Sequence, residues 1–97
     1  MYTKLKYDGF EKYLHKVTEV SNLQYIFKFD NGYGASVIKN IMSYGHAQDL
    51  FELAVIKFID EFTWKICCST DVLGYLEVLG YLENDDVLDL LERIKNL

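Results

Sequence analysis

Two adjacent cysteines, Cys67 and Cys68, and two histidines, His15 and His46, are the side chains of this 97-residue chain best suited to nucleophilic or metal chemistry. A thiolate nucleophile needs a base beside it and an electropositive, partly open setting. Both cysteines instead fall in an apolar run, Phe62 to Cys68, where thiols are structural. Neighbours on a strand point to opposite faces, so an internal disulfide and a shared metal ion are both geometrically poor. Such thiols fit a reducing, cytoplasmic setting. His15 falls on the solvated side of a predicted helix, and His46 falls in a loop with nothing near it in sequence to orient it. Asn31-Gly32-Tyr33-Gly34 lacks the helix and the Lys-Ser or Lys-Thr ending of a phosphate loop. Asp85, Asp86 and Asp89 lack the glycine-punctuated spacing of a calcium loop. No carboxylate pair is singled out for hydrolysis. The expectation is a domain with no catalytic residues, no metal and no cofactor.

Charge is the stronger functional signal. The net formal charge is −5, which disfavours direct binding of nucleic acid, because phosphates need Lys and Arg. Residues 1–59 are nearly balanced, with seven Lys against six acids. Residues 60–97 hold nine acids against Lys65, Arg93 and Lys95. An acidic C-terminal third suits solubility, and it equally suits a basic partner. Four tyrosines outside the predicted strands, Tyr33, Tyr44, Tyr75 and Tyr81, are candidate contact anchors. With them go the carboxylates Asp71, Glu77, Glu83, Asp85, Asp86 and Asp89 as a candidate partner-binding set.

The elements that must position these residues follow from periodicity. Apolar residues make up 51% of the chain and aromatics 15%, ample for one core in a single domain spanning 1–97. No run approaches the length of a membrane span, and the N-terminus has no signal-peptide apolar stretch. Residues 8–20 show helical spacing of Phe10, Tyr13, Leu14, Val17 and Val20, with Asp8 as cap. Leu23, Tyr25, Phe27 and Phe29 alternate as a strand over 23–30, and Asp30-Asn31-Gly32 predicts a hairpin, with Gly34 permitting a bulge. Further strands are predicted at Ala35–Met42, Phe51–Ile59 and Phe62–Cys68, with Phe51, Leu53, Val55, Phe62, Trp64, Ile66 and Cys68 as core faces. The last segment is helical, capped by Asn84, with Val87, Leu88, Leu90, Leu91, Ile94 and Leu97 as its buried stripe. The expected fold is α+β: an N-terminal helix, a four-stranded antiparallel meander, and a C-terminal helical segment packed on the sheet.

The hexapeptide Val72-Leu73-Gly74-Tyr75-Leu76-Glu77 is repeated at once as Val78-Leu79-Gly80-Tyr81-Leu82-Glu83. In one straight helix the second copy would be rotated by about 240° from the first, so both cannot bury the same face. Two short helical turns or a broken helix are expected.

The run Phe29 to Val37, then Ser43-Tyr44-Gly45, Phe51 to Val55 and Thr70 to Leu76, resembles small bacteriophage and prophage proteins that end in a leucine-rich helix. The resemblance covers about residues 23–97, with Asn31-Gly32-Tyr33-Gly34-Ala35-Ser36-Val37 its most specific part. It implies no catalytic residues. It implies a context: an accessory protein that binds and blocks a host protein, such as an anti-defence, anti-CRISPR-like inhibitor of a nucleic-acid-binding nuclease. A small-ligand (nucleotide) sponge and a self-associating structural protein, as a homo-oligomer, are the rival readings.

Overall fold

The computed structural model describes every residue except Cys68, Ser69, Asp71 and Tyr75. It is an α+β fold, with one antiparallel sheet and one α-helix among the described residues. The strands are β1 (Leu14–Thr18), β2 (Leu23–Lys28), β3 (Tyr33–Lys39), β4 (Phe51–Phe58), β5 (Trp64–Ile66) and β6 (Val78–Leu82), and the helix is α1 (Asn84–Lys95). Strands β1 to β5 lie in sequence order, as short connections dictate, and β6 also pairs with β4. No described helix is long and apolar enough to cross a membrane.

Among the described residues the sheet has six strands, not four, and the N-terminal helix is not formed. Glu11–Tyr13 makes one 3-10 turn, and Leu14–Thr18 continues as the edge strand β1 against β2. The helical spacing was real, but Val17 and Thr18 are β-branched, and β2 offers a whole ladder where an isolated helix of this length is marginal. His15 consequently does not lie in solvent on a helix. It is half-buried, its ring edge-on to Phe58 (5.3 Å) and Trp64 (5.8 Å).

One sheet face carries the main core. Leu23, Tyr25, Phe27, Phe29, Ala35, Val37, Phe51, Leu53 and Val55 are buried there, under Val87, Leu90, Leu91 and Ile94 of α1. Leu97 of the expected helix stripe is 43% exposed. The N-terminal arm completes the cover. Leu5 is buried and donates its N–H to the Tyr25 hydroxyl (3.1 Å), which in turn donates to Glu19 (2.7 Å). Burial first, and then the Glu19 carboxylate, push the Tyr25 phenol above its ordinary range.

The other face differs from expectation. Phe62 is 78% exposed and Ile66 53% exposed, whereas Ile26, which alternation puts on the same face as Gln24 and Lys28, is fully buried. Strands β1 and β5 are four spacings apart, about 19 Å in a flat sheet. His15 and Trp64 nevertheless meet, so the sheet curves over this face and encloses Ile26 and Ile56. The β4–β5 hairpin lies at the rim of that curve, which leaves Phe62 outside.

Two sequence signals are absorbed by structure. Gly32 takes φ +86° at the hairpin turn, and the Asn31 amide donates to the carbonyls of Ile94 (3.0 Å) and Lys95 (3.2 Å), closing the end of α1. Gly34 sits in unbroken register between Lys28 and Ile56, so it makes neither the bulge nor the positive φ its type allows.

Lys39 is 1% exposed, with its ammonium bonded to Asp49 (2.8 Å) and Thr3 O (2.9 Å), 3.8 Å from the Phe51 ring centre. Its hydrogen bond, followed by that of the Thr3 hydroxyl, lowers the Asp49 carboxyl to about 2. A depressed carboxyl stabilises the fold above its unfolded value, about 3.9, and that contribution fades as pH falls toward 2. Asp49→Ala leaves the buried ammonium without its anion. Because Asp49 itself is 42% exposed, the expected cost is about 2 kcal/mol, below that of a fully buried pair. Lys39→Met, which fills the same space without a charge, should cost less than about 1 kcal/mol. Urea unfolding at neutral pH and again near pH 3 checks both, and the Asp49→Ala deficit should shrink in acid.

Candidate protein-contact site

The two hexapeptide copies have different structures. Strand β5 follows the β4 edge to Ile66 opposite Ile56, and the Cys67 N–H bonds to Val55 O (2.8 Å). Val78 then takes the next place, opposite Ala54. The strand line along β4 is therefore continuous, with residues 68–77 inserted between adjacent positions. Within that insert Val72 and Leu73 are buried in the core and turn at Gly74, which takes φ +64°. The second copy is β6. Neither the two short helical turns nor the broken helix expected here is seen among the described residues, because the exposed edge of β4 supplies partners for the second copy.

Strand β6 is not regular. Leu79 lies opposite Leu53 and Leu82 opposite Phe51, so Gly80 and Tyr81 together face the single residue Glu52. This is a β-bulge, a device that bends an edge strand and re-aims a side chain. Tyr81 takes φ +58° at the bulge and is 61% exposed. A bulky residue in the left-handed region costs about 1–2 kcal/mol. It persists only where the surroundings impose it.

Tyr44 supplies part of that constraint. Its carbonyl accepts the Tyr81 N–H (3.3 Å), and its own N–H donates to Glu52 Oε1 (2.9 Å). Gly80 makes the approach possible, since a Cβ there would lie 2.4 Å from Tyr44 Cβ. Tyr44 is 60% exposed, and Ile41 and Met42 just before it are exposed as well. Two tyrosines separated by 37 positions in sequence are thus joined at one end of the sheet, with apolar neighbours.

The acidic residues continue from this pair. Glu77 and Glu83 flank β6 and are exposed, as are Asp85, Asp86 and Asp89 on the first turns of α1. Glu83, not Asn84, is the N-cap residue, and Asp86 Oδ2 accepts the Glu83 N–H (2.9 Å) in a capping box. Asn84 instead exchanges two hydrogen bonds with the Lys6 backbone, both 2.8 Å, and pins the N-terminal arm. Asp86 and Asp89 also line a shallow hollow of about 210 Å³ with Leu79, Leu82, Leu90 and Arg93.

Of the sequence-predicted set, Tyr44, Tyr81, Glu77, Glu83, Asp85, Asp86 and Asp89 belong to this end of the molecule. Tyr33 does not. It is half-buried under the Lys57 ammonium (3.9 Å) at the β2–β3 hairpin, beside the far end of α1 and roughly 18 Å away along a helix of this length. Asp71 and Tyr75 lie outside the described residues. Sequence reasoning missed Glu52, Ile41 and Met42. A glycine inside a strand pattern, Gly80, was the available signal for the bulge. His46 hydrogen-bonds the Tyr2 hydroxyl through Nδ1 (3.2 Å) and so holds the N-terminal arm.

The bulge geometry gives a direct expectation. Tyr81→Gly removes left-handed strain and should leave the fold as stable as before, or up to about 1 kcal/mol more stable once the larger unfolded-state entropy of glycine is deducted. Thermal unfolding of the two proteins side by side reads this out. No family model, no curated protein and no solved structure matches this chain.

Proposed function

We propose that this chain is a non-enzymatic protein-binding module of the phage accessory type, which blocks a host protein by docking Tyr44 and Tyr81 against it. The observation that carries the reading is Tyr81 itself, a strained, exposed aromatic at a bulge, whose N–H bonds to the carbonyl of a second exposed tyrosine. Exposed aromatics with a hydroxyl suit protein contacts, where a few such anchors dominate affinity. The acids from Glu77 to Asp89 form a rim that favours a basic partner surface, such as the nucleic-acid groove of a nuclease. Steric occlusion of that groove is the mode of action this surface suits, with the rim raising the association rate.

The test is capture from a bacterial lysate at low and high salt, with two variants beside the parent chain. Tyr44→Ala/Tyr81→Ala should weaken capture by a factor of roughly 30 or more, the scale of losing a hot-spot contact of about 2 kcal/mol. Glu77→Lys/Asp85→Lys/Asp89→Lys should weaken it chiefly at low salt. Glu83 and Asp86 are left alone because they cap α1, and reversing them would unsettle the helix as well as the rim. Capture unchanged by both variants would contradict the proposal. A small-ligand reading is less well supported. A groove on the second sheet face is about 290 Å³ and open, at the lower limit of ligand pockets, roughly 300–1,000 Å³.

A further inference from the structure

The β4–β5 hairpin is independent of the Tyr44–Tyr81 surface, at the other end of β4. Among the described residues β5 ends the sheet on its side, so one backbone edge has no neighbouring strand. In an antiparallel ladder, bonds alternate between the two sides of a strand. The bonds Cys67 N to Val55 O and Ile59 N to Thr63 O show that Thr63, Lys65 and Cys67 face β4. The backbone groups of Trp64 and Ile66 and the Phe62 carbonyl accordingly point outward, whereas the Phe62 N–H is taken by Asp60.

Side chains alternate in the same way. Phe62 and Ile66 are exposed, 78% and 53%, on either side of half-buried Trp64. On the opposite face Lys57 and Lys65 lie directly across from each other, and like charges in that relation are destabilising. Among the described residues neither lysine has an ion pair. The turn of the same hairpin is acidic. Asp60 accepts the Phe62 N–H (2.9 Å), which fixes the turn and lowers its carboxyl, whereas Glu61 is exposed.

We infer that β5 pairs edge to edge with β5 of a second copy of this chain, antiparallel about a twofold axis at Trp64. That single register places Phe62 of each copy across from Ile66 of the other, so that the two Trp64 residues exchange backbone bonds and each Ile66 N–H meets the Phe62 carbonyl of the other copy. It also sets Glu61 of each copy diagonal to the partner copy's Lys65, within reach of long side chains. The hairpin is acidic at its turn and basic on its strand with apolar residues between, so it is complementary to itself only in the antiparallel sense, as a twofold interface requires. Bare hydrophobic edges are the usual template for such pairing. The dimer leaves both Tyr44–Tyr81 surfaces free.

Sedimentation equilibrium from low micromolar to near-millimolar protein tests the interface. The expected result is a mass rising toward twice the 11.4 kDa of one chain, with salt shifting the rise to higher concentration. Phe62→Ser should weaken association by about tenfold or more, and so should Lys65→Glu alone. Glu61→Lys combined with Lys65→Glu should restore it. All three positions are exposed, so the monomer fold is retained, and far-ultraviolet circular dichroism checks this. A monomer at every concentration, a dimer indifferent to Phe62→Ser, or a double variant no better than Lys65→Glu would each overturn the inference.

Discussion

Gly34→Ala is expected to cost about 3 kcal/mol or more and to leave a protein that unfolds at low denaturant or does not fold cooperatively. A Cβ at position 34 would stand 2.0 Å from the Phe27 carbonyl oxygen and 2.9 Å from a Phe58 ring carbon. The first neighbour is backbone in a paired strand and cannot swing away. Relief would require opening the β2–β3 ladder at its hairpin end, where Asn31 also closes α1. The second neighbour matters for the curved face, because Phe58 there packs against His15 and Trp64 (5.4 Å). Urea unfolding of Gly34→Ala measures the loss, and a midpoint equal to that of the parent would refute the close-packed reading of this site.

Deleting one hexapeptide copy is the second large effect. Removing Val72–Glu77 or Val78–Glu83 yields the same protein, with one copy between Asp71 and Asn84. The surviving copy is expected to become β6, since only that role satisfies the β4 edge and joins directly to α1. Four residues, 68–71, then connect Cys67 to the strand, a length common for short connections. The loss is that of Val72 and Leu73, each about 5% exposed. At about 1.5–3 kcal/mol for each fully buried side chain, offset by less than about 1 kcal/mol from the shorter loop, the net cost is roughly 2–5 kcal/mol. A domain of this length holds about 5–15 kcal/mol, so the deletion should fold but melt well below the parent. It should also keep the Tyr44–Tyr81 pair. Unchanged stability would show that the first copy contributes no core, and complete unfolding would show that the strand role depends on both copies.

Much of this fold was legible because local and tertiary preferences agree. Leu23, Tyr25, Phe27 and Phe29 alternate in sequence and are buried together, and the 84–95 helix has its apolar stripe where 3.6-residue periodicity puts it. Reading failed where an edge decided the outcome. Leu14–Thr18 and the second hexapeptide both gain a ladder partner that no window of sequence displays, and identical residues at 72–77 and 78–83 cannot differ by propensity at all. Alternation places Phe62 and Ile66 on one face but does not say whether that face is covered, and both are exposed. The candidate site was half legible. Its tyrosines and acids were identifiable as types, but their meeting depends on a one-residue register slip opposite Glu52 and on Gly80 admitting Tyr44.

The most direct test of the proposed contact site is Tyr81→Gly examined in the same preparation for stability and for retention of a captured partner. Thermal unfolding should be unchanged or slightly raised while partner retention falls by a factor of roughly 30 or more, separating a strained contact residue from a structural one. A variant that binds as the parent does would contradict the role of Tyr81 in recognition. A variant that loses stability and binding together would contradict the claim that the bulge holds Tyr81 under strain for the sake of contact.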